Sequence, residues 1–217
     1  MDVSLPKVPA HESAYQMLRA MVLHGELAPG QPVTIQGLVE TLDLGMTPVR
    51  EAIRRLTSQG ALEFKGNRRV SVPLMDRDTY DELAFARLSV EPELARRAVK
   101  NMTNSDIDAL AQIDVALDAA IERGDVGAYL EHNHAFHNTL YEFSNAKVLL
   151  AISEMLWLRT GPSLRMMLGR AGTANLPDKH REALAAMRAG DADGVARAIK
   201  GDIEQGIASV TGSLSPR

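Results

Sequence analysis

The 217-residue sequence has no cysteine, which excludes disulfides and thiolate metal sites. No apolar run approaches the ~20 residues that a membrane-spanning helix needs. The opening stretch, MDVSLPKVPAHES, lacks the apolar core of a secretory signal. A soluble cytoplasmic protein is the expectation. Internal repeats and low-complexity tracts are also missing. There is no excess of positive charge either: the net charge is −4, which by itself does not suggest a nucleic-acid partner.

The distribution of charge says more than its sum. Residues 1–75 hold eight Lys/Arg against seven Asp/Glu, whereas the remainder holds sixteen against twenty-one. Within 50–69, six basic residues (Arg50, Arg54, Arg55, Lys65, Arg68, Arg69) face only Glu51 and Glu63. Such a patch can supply an electrostatic footprint on an acidic protein. Hydrophobic residues make up 45% of the chain, enough for a real core, and the length suits one or two domains.

The most informative stretch is TPVREAIRRLTSQG, Thr47 to Gly60. Thr47 can cap a helix and Pro48 can occupy its first position, where a missing N–H costs nothing. Val49, Ile53 and Leu56 recur at helical spacing and form an apolar back. Arg50 and Arg54 share another face. A recognition helix needs this layout, with its back on a scaffold and its arginines at phosphates or guanine edges. Many surface helices carry arginines, so the stretch alone does not separate the two readings.

Its neighbours do. Ser13 to His24 places Ala14, Met17, Leu18, Met21 and Val22 on one helical face. Thr34 can cap a second helix with Leu38 and Leu42 inward. After Gly60 the spacing predicts two short strands, Ala61–Phe64 and Arg69–Val72, with a turn at Gly66-Asn67 that carries Lys65, Asn67 and Arg68 at its tip. Three helices and a basic hairpin describe a winged helix-turn-helix.

The order LHGELAPGQPV, LVETLDLGMTPVREAIRRLTSQGAL and a basic wing resembles the DNA-binding domain of GntR-family bacterial transcription regulators. The turn into that family's recognition helix usually reads Ser-Arg-Thr-Pro-Val-Arg-Glu-Ala-Leu. Here Gly45 and Met46 replace the first two residues, and Thr47 to Ile53 follow the pattern. The resemblance implies DNA contacts from Thr47, Arg50 and Arg54, and from Asn67 and Arg68 on the wing. The contact that the family's arginine makes is expected to be lost or altered at Met46. The wing also departs, with Asn67-Arg68-Arg69 where an Arg-Gly pair is common.

Pro73 to Asp78 reads as a junction, dividing a winged domain at 1–75 from a second domain at 76–217. The second domain shows no strand pattern. Helices are expected at 78–101, 104–123, 125–143, 146–169, 177–189 and 191–213, an all-α bundle in which Pro92 lies inside the first helix and should kink it or leave a carbonyl free. The fold class is therefore mainly α.

Asn133 and His137 project from one helix face, with His180 and Asp202 on later helices. Two imidazoles and a carboxylate suit zinc, nickel, manganese or iron. A histidine bordering an apolar face is also commonly a hydrogen-bonded core residue, so spacing leaves both readings open. His132 and His134 are expected to be solvated. RLSVEPELARRA and NHAFHNTLYEFSNAKVL resemble the FCD effector domain of the FadR subfamily, in its shorter, six-helix branch. Many members of that subfamily bind a divalent metal with one Asp and three His. The resemblance implies a ligand set of Asn133, His137, His180 and Asp202, with Asn133 in place of the Asp and Asp202 in place of the third His. Arg87, at a position where the family has an arginine, can hold an effector carboxylate or pair with Glu91. Arg159 and Arg165 are further candidates for an anion.

These readings lead to a ligand-responsive, DNA-binding transcription regulator: a homodimeric repressor released by a small organic acid, with operator DNA as partner and no membrane association. The alternatives are a metal-dependent hydrolase using His137, His180 and Asp202, and a metal-free sensor of the same family.

Overall fold

The computed structural model describes residues 9–66, 69–171 and 178–211, with side chains described outside 164–171 and 211. Asn67, Arg68 and the side chain of Arg165 lie outside the described residues.

The N-terminal part is built from α1 (Ala10–Leu23), β1 (Val33–Thr34), α2 (Ile35–Leu42), α3 (Met46–Ser58), β2 (Glu63–Phe64) and β3 (Arg69–Ser71). Helix α1 starts three residues earlier than the apolar spacing suggests, after Pro9. Thr34 does cap α2, accepting from the Gly37 N–H at 2.9 Å. Thr47 does not cap α3. Asp43 turns left-handed at the end of α2, and extended Gly45 is the N-cap residue, with no side-chain cap. Thr47 and Pro48 both fall in the first turn, where backbone N–H groups have no helical partner in any case. Proline is therefore tolerated there as well as at the first position.

Three antiparallel strands form one small sheet in the order β1-β3-β2, with Val33 opposite Val70 and Phe64 also opposite Val70. The β1 strand has two residues, too short for any alternation to show. Gly66 adopts φ +66° at the wing tip, and Arg69 N–H donates to its carbonyl at 2.9 Å.

Six helices follow among the described residues: α4 (Arg77–Ala98), α5 (Asn104–Glu122), α6 (Val126–Glu142), α7 (Lys147–Ala171), α8 (Lys179–Arg188) and α9 (Ala192–Thr211). The expected breaks carry real caps. Asp76, Asp125 and Asp178 each accept a backbone N–H of the helix they precede, and Thr103 with Asp106 forms a reciprocal capping box. Helix α4 runs through Pro92 and yields to a 3-10 turn only at Val99–Asn101. It packs on α7 and α9, while α5 packs on α6 and α8 on α9.

Two cores result. One lies inside the bundle around Leu94, Leu110, Phe136, Leu140 and Ile199. The other fills the winged domain but continues into the bundle through Leu130, Trp157, Leu158 and Val210. The junction between the two parts is thus a packed apolar interface. At its centre α7 meets the end of α1 closely: a Cβ at Gly161 would stand 2.7 Å from the Leu23 carbonyl oxygen. Arg19 and Glu154 approach to 3.8 Å beside it.

Candidate DNA-binding face and metal site

Helix α3 buries Val49, Ala52, Ile53 and Leu56 and exposes Thr47, Arg50, Glu51, Arg54 and Arg55. The three arginines differ in what holds them. Arg55 bonds Glu12 at 3.0 Å and lies 3.5 Å above the Tyr15 ring, so it ties α3 to α1. Among the described residues neither Arg50 nor Arg54 has an acidic partner. They flank a shallow depression of about 230 Å³ shared with Ile35, Ile53 and Phe64 at the base of the wing. Two cations with uncompensated charge, beside an N-terminal turn with open N–H groups, can meet phosphates and base edges. On the wing, Lys65 is held by Glu63 at 2.8 Å.

In the bundle, α6, α8 and α9 bring His137, His180 and Asp202 together. His137 Nε2 lies 3.0 Å from Asp202 Oδ2 and 3.3 Å from His180 Nε2, and His180 Nε2 lies 3.8 Å from Asp202 Oδ1. Metal bonds of 2.0–2.2 Å would set neighbouring ligand atoms roughly 3–3.5 Å apart. The spacing therefore matches a shared ion.

The groups behind the ligands strengthen the match. Burial and Glu91 push the Tyr141 phenol well above its usual range, so it keeps its proton. It donates that proton to Glu91 Oε2 at 2.8 Å. Its oxygen is then an acceptor for His137 Nδ1 at 2.9 Å. A neutral imidazole that donates from Nδ1 has a bare Nε2, and this one points at Asp202 and His180. His180 Nδ1 lies 3.0 Å from Asp114 Oδ1, which makes Nδ1 the donor there as well. Its ring stacks on Phe136 with centroids 4.0 Å apart. Two imidazole nitrogens and a carboxylate oxygen thus converge, a set that can hold a cation between them. Histidines that donate their second nitrogen to a carboxylate or other acceptor are the usual companions of a bound metal.

The electrostatics differ between the two imidazoles. Burial pushes His137 down and outweighs the pull of Asp202, so the ring stays neutral. Burial also opposes charge on His180, but Asp114 and Asp202 outweigh it and raise its pKa. For Asp202, burial is overcome by contact with His137 and by the fields of His180, His137 and Arg87, which hold the carboxyl at about 2. No signal in the sequence marks Asp114 apart from the other acids of α5.

Asn133 sits one turn before His137 and is 7% exposed, and among the described residues its side chain has no hydrogen bond. Its amide oxygen is a neutral donor on the same face. Arg87 is buried and holds Glu91 through Nε and Nη2, with its guanidinium 4.4 Å over the Trp157 ring. The ion pair allowed by the sequence is therefore present, and only the N–H groups left by Glu91 are available to a ligand. His134 corrects the expectation of a solvated side chain. It packs edge-on to Trp157 of α7 at 5.2 Å and faces His24, just past α1, at 6.4 Å, and is half-buried.

A winged helix with two arginines that have no acidic partner among the described residues, packed on a helical bundle with a buried ligand-type cluster, defines a DNA-binding regulator with a sensory domain. Residues 10–72 match the family described as bacterial regulatory proteins, gntR family, and residues 82–205 match the FCD domain. The chain belongs to the GntR family of transcription regulators, with an FCD domain. It is 32% identical over 187 residues to the HTH-type transcriptional regulator McbR of Escherichia coli (strain K12), covering 85% of each chain. It is 25% identical over 201 residues to the HTH-type transcriptional repressor RspR of the same organism, covering 92% of this chain and 88% of that one. The solved structure of E. coli McbR/YncC superimposes with a TM-score of 0.88 at 30% identity, covering 94% of this chain and 97% of that one. A putative GntR regulator from Rhodococcus sp. RHA1 shares the fold, with a TM-score of 0.75 at 19% identity over 94% of this chain and 99% of that one. Family and relatives are regulators, and nothing in them supports the hydrolase alternative. No helix among the described residues is long and apolar enough to cross a membrane.

Proposed function

We propose that residues 1–75 form an operator-binding head and residues 76–217 a sensor that holds a divalent metal and reads a small organic acid. The convergence of His137 Nε2, His180 Nε2 and Asp202 carries this reading. Asn133 adds a neutral fourth donor. Zinc, nickel, manganese or iron suits the imidazole-rich set. When bound, such an ion supplies positive charge and open positions for carboxylate oxygens. Arg87, whose field already reaches Asp202, biases the pocket toward anions.

On DNA, Thr47, Arg50 and Arg54 would take the major groove, with Asn67 and Arg68 on the wing. One head makes too few contacts for a specific site, so a homodimer on a two-fold operator in the bacterial cytoplasm follows. Trp157 supplies the coupling: it donates to Glu91 at 3.1 Å, touches the His137 ring at 5.2 Å and packs in the core that contains α1. An effector that binds one arrangement of head and sensor better than the other shifts the population and releases DNA. The name of RspR supports repression as the sign. A metal-free variant of the sensor is favoured by one observation, the raised pKa of His180, which lets a proton occupy the same electrostatic role.

The test is elemental analysis of protein purified without chelator or metal-affinity resin, with operator binding measured in parallel. About one metal per chain, lost in His137→Ala, supports the sensor; no metal in wild type selects the proton-filled form. Arg50→Ala should keep the fold and metal while losing specific DNA binding. Unchanged operator affinity in that variant would sink the assignment of α3.

A further inference from the structure

A second crevice lies where the wing and the interdomain junction meet α7. It has a volume of about 300 Å³, the lower end of the range for small-molecule sites, and none of its lining residues belongs to the His137 cluster. Its walls are Leu62 and Val72 from the wing, Leu74 and Met75 from the junction, and Leu158 from α7. Leu74 is 73% exposed, a large apolar side chain left in water at the rim. Arg159 is the cation of this mainly apolar lining, and among the described residues it has no acidic partner. Glu63, also in the lining, is already committed to Lys65 at 2.8 Å and to the Ser71 hydroxyl at 3.3 Å. The Arg159 side chain lies against Gly60, directly after the recognition helix: a Cβ there would come within 3.4 Å of its Nε.

We infer that this crevice is a second ligand site, for a small carboxylate with an apolar tail. The carboxylate pairs with Arg159 and the tail covers Leu74 and Met75 against Leu62, Val72 and Leu158. An unpaired guanidinium sets the charge of the ligand, and the apolar walls set its body. The crevice has walls on both sides of the head–sensor junction, so an occupant bridges the two parts and favours the arrangement in which they are closed. This input is independent of the metal cluster.

Octanoate is the probe, titrated calorimetrically into the full chain, with octanamide as its neutral counterpart. One saturable site is expected for octanoate. Affinity should fall roughly ten-fold or more with octanamide or in Arg159→Gln, since a charge-assisted hydrogen bond is lost. Arg159→Lys should retain part of it, and His137→Ala all of it. Nuclear Overhauser contacts between the Met75 methyl and the octanoate chain should place the ligand. The comparison of octanoate with octanamide uses wild-type protein and does not depend on how the variants fold. Absence of saturable binding at millimolar octanoate, equal affinity for octanamide, or binding lost in His137→Ala but kept in Arg159→Gln would each overturn the proposal. None of these outcomes bears on the metal cluster, whose own test is metal content.

Discussion

The Tyr141 hydroxyl stands 2.9 Å from His137 Nδ1 and turns that imidazole so that its bare Nε2 faces Asp202. Both residues lie on α6, one turn apart, so the orientation is built into a single helix. Replacing Tyr141 by Phe removes the acceptor and frees the ring to take the other tautomer. Metal affinity should fall about 10–100-fold with the fold retained, as for other groups behind a metal ligand. Competition against a chromogenic chelator measures it, and equal affinity in the variant would show that Tyr141 plays no part.

Glu91 accepts from Arg87, Tyr141 and Trp157 in a site with no solvent access. Glu91→Gln leaves the Arg87 charge buried without its partner and should cost about 3–5 kcal/mol. For a chain of this size each kcal/mol is roughly 2–4 °C in Tm. The double variant Arg87→Met, Glu91→Gln should recover much of the loss, because the uncompensated charge is gone. Thermal unfolding of both variants decides; equal destabilisation would mean that the charge is not the cause.

Gly161 is where α7 passes the Leu23 carbonyl oxygen. Gly161→Ala inserts a methyl against backbone that cannot rotate away, so head and sensor must separate slightly. A loss of about 1–3 kcal/mol is expected, as for other overpacked contacts. Denaturant unfolding measures it, and an unchanged midpoint would contradict the close approach.

Burial, helped by Arg19 and neighbouring histidines, holds the His134 imidazole down at about 3. The unfolded chain takes up this proton near pH 6.5, while the folded chain refuses it until about 3. Protons therefore favour unfolding across that window, and this contribution to stability is lost as pH falls from 6.5 toward 3. His134→Gln should lose less stability than wild type between pH 7 and pH 5. Chelator is present throughout, so that metal release does not add its own pH dependence. Parallel pH profiles for the two proteins would exclude His134 as a source.

The helices and the winged head follow from local chemistry that spacing displays: Val49, Ile53 and Leu56 on one face of α3, and Thr34 before α2. The histidines and Asp202 were also visible, through residue type and resemblance. What spacing did not show depends on which faces meet in space. Thr47 lies inside α3 because the left-handed Asp43 and extended Gly45 set the start of the helix. His134 is half-buried because Trp157 of α7 and His24, just past α1, pack against it. Asp114 is 66 residues from His180 and becomes its partner only when α5 and α8 pack. Arg87, Glu91, Tyr141 and Trp157 come from three helices, and their shared hydrogen bonds exist only after burial removes water as the competing partner. A periodic pattern records which side of a helix turns inward; tertiary packing alone decides what that side meets.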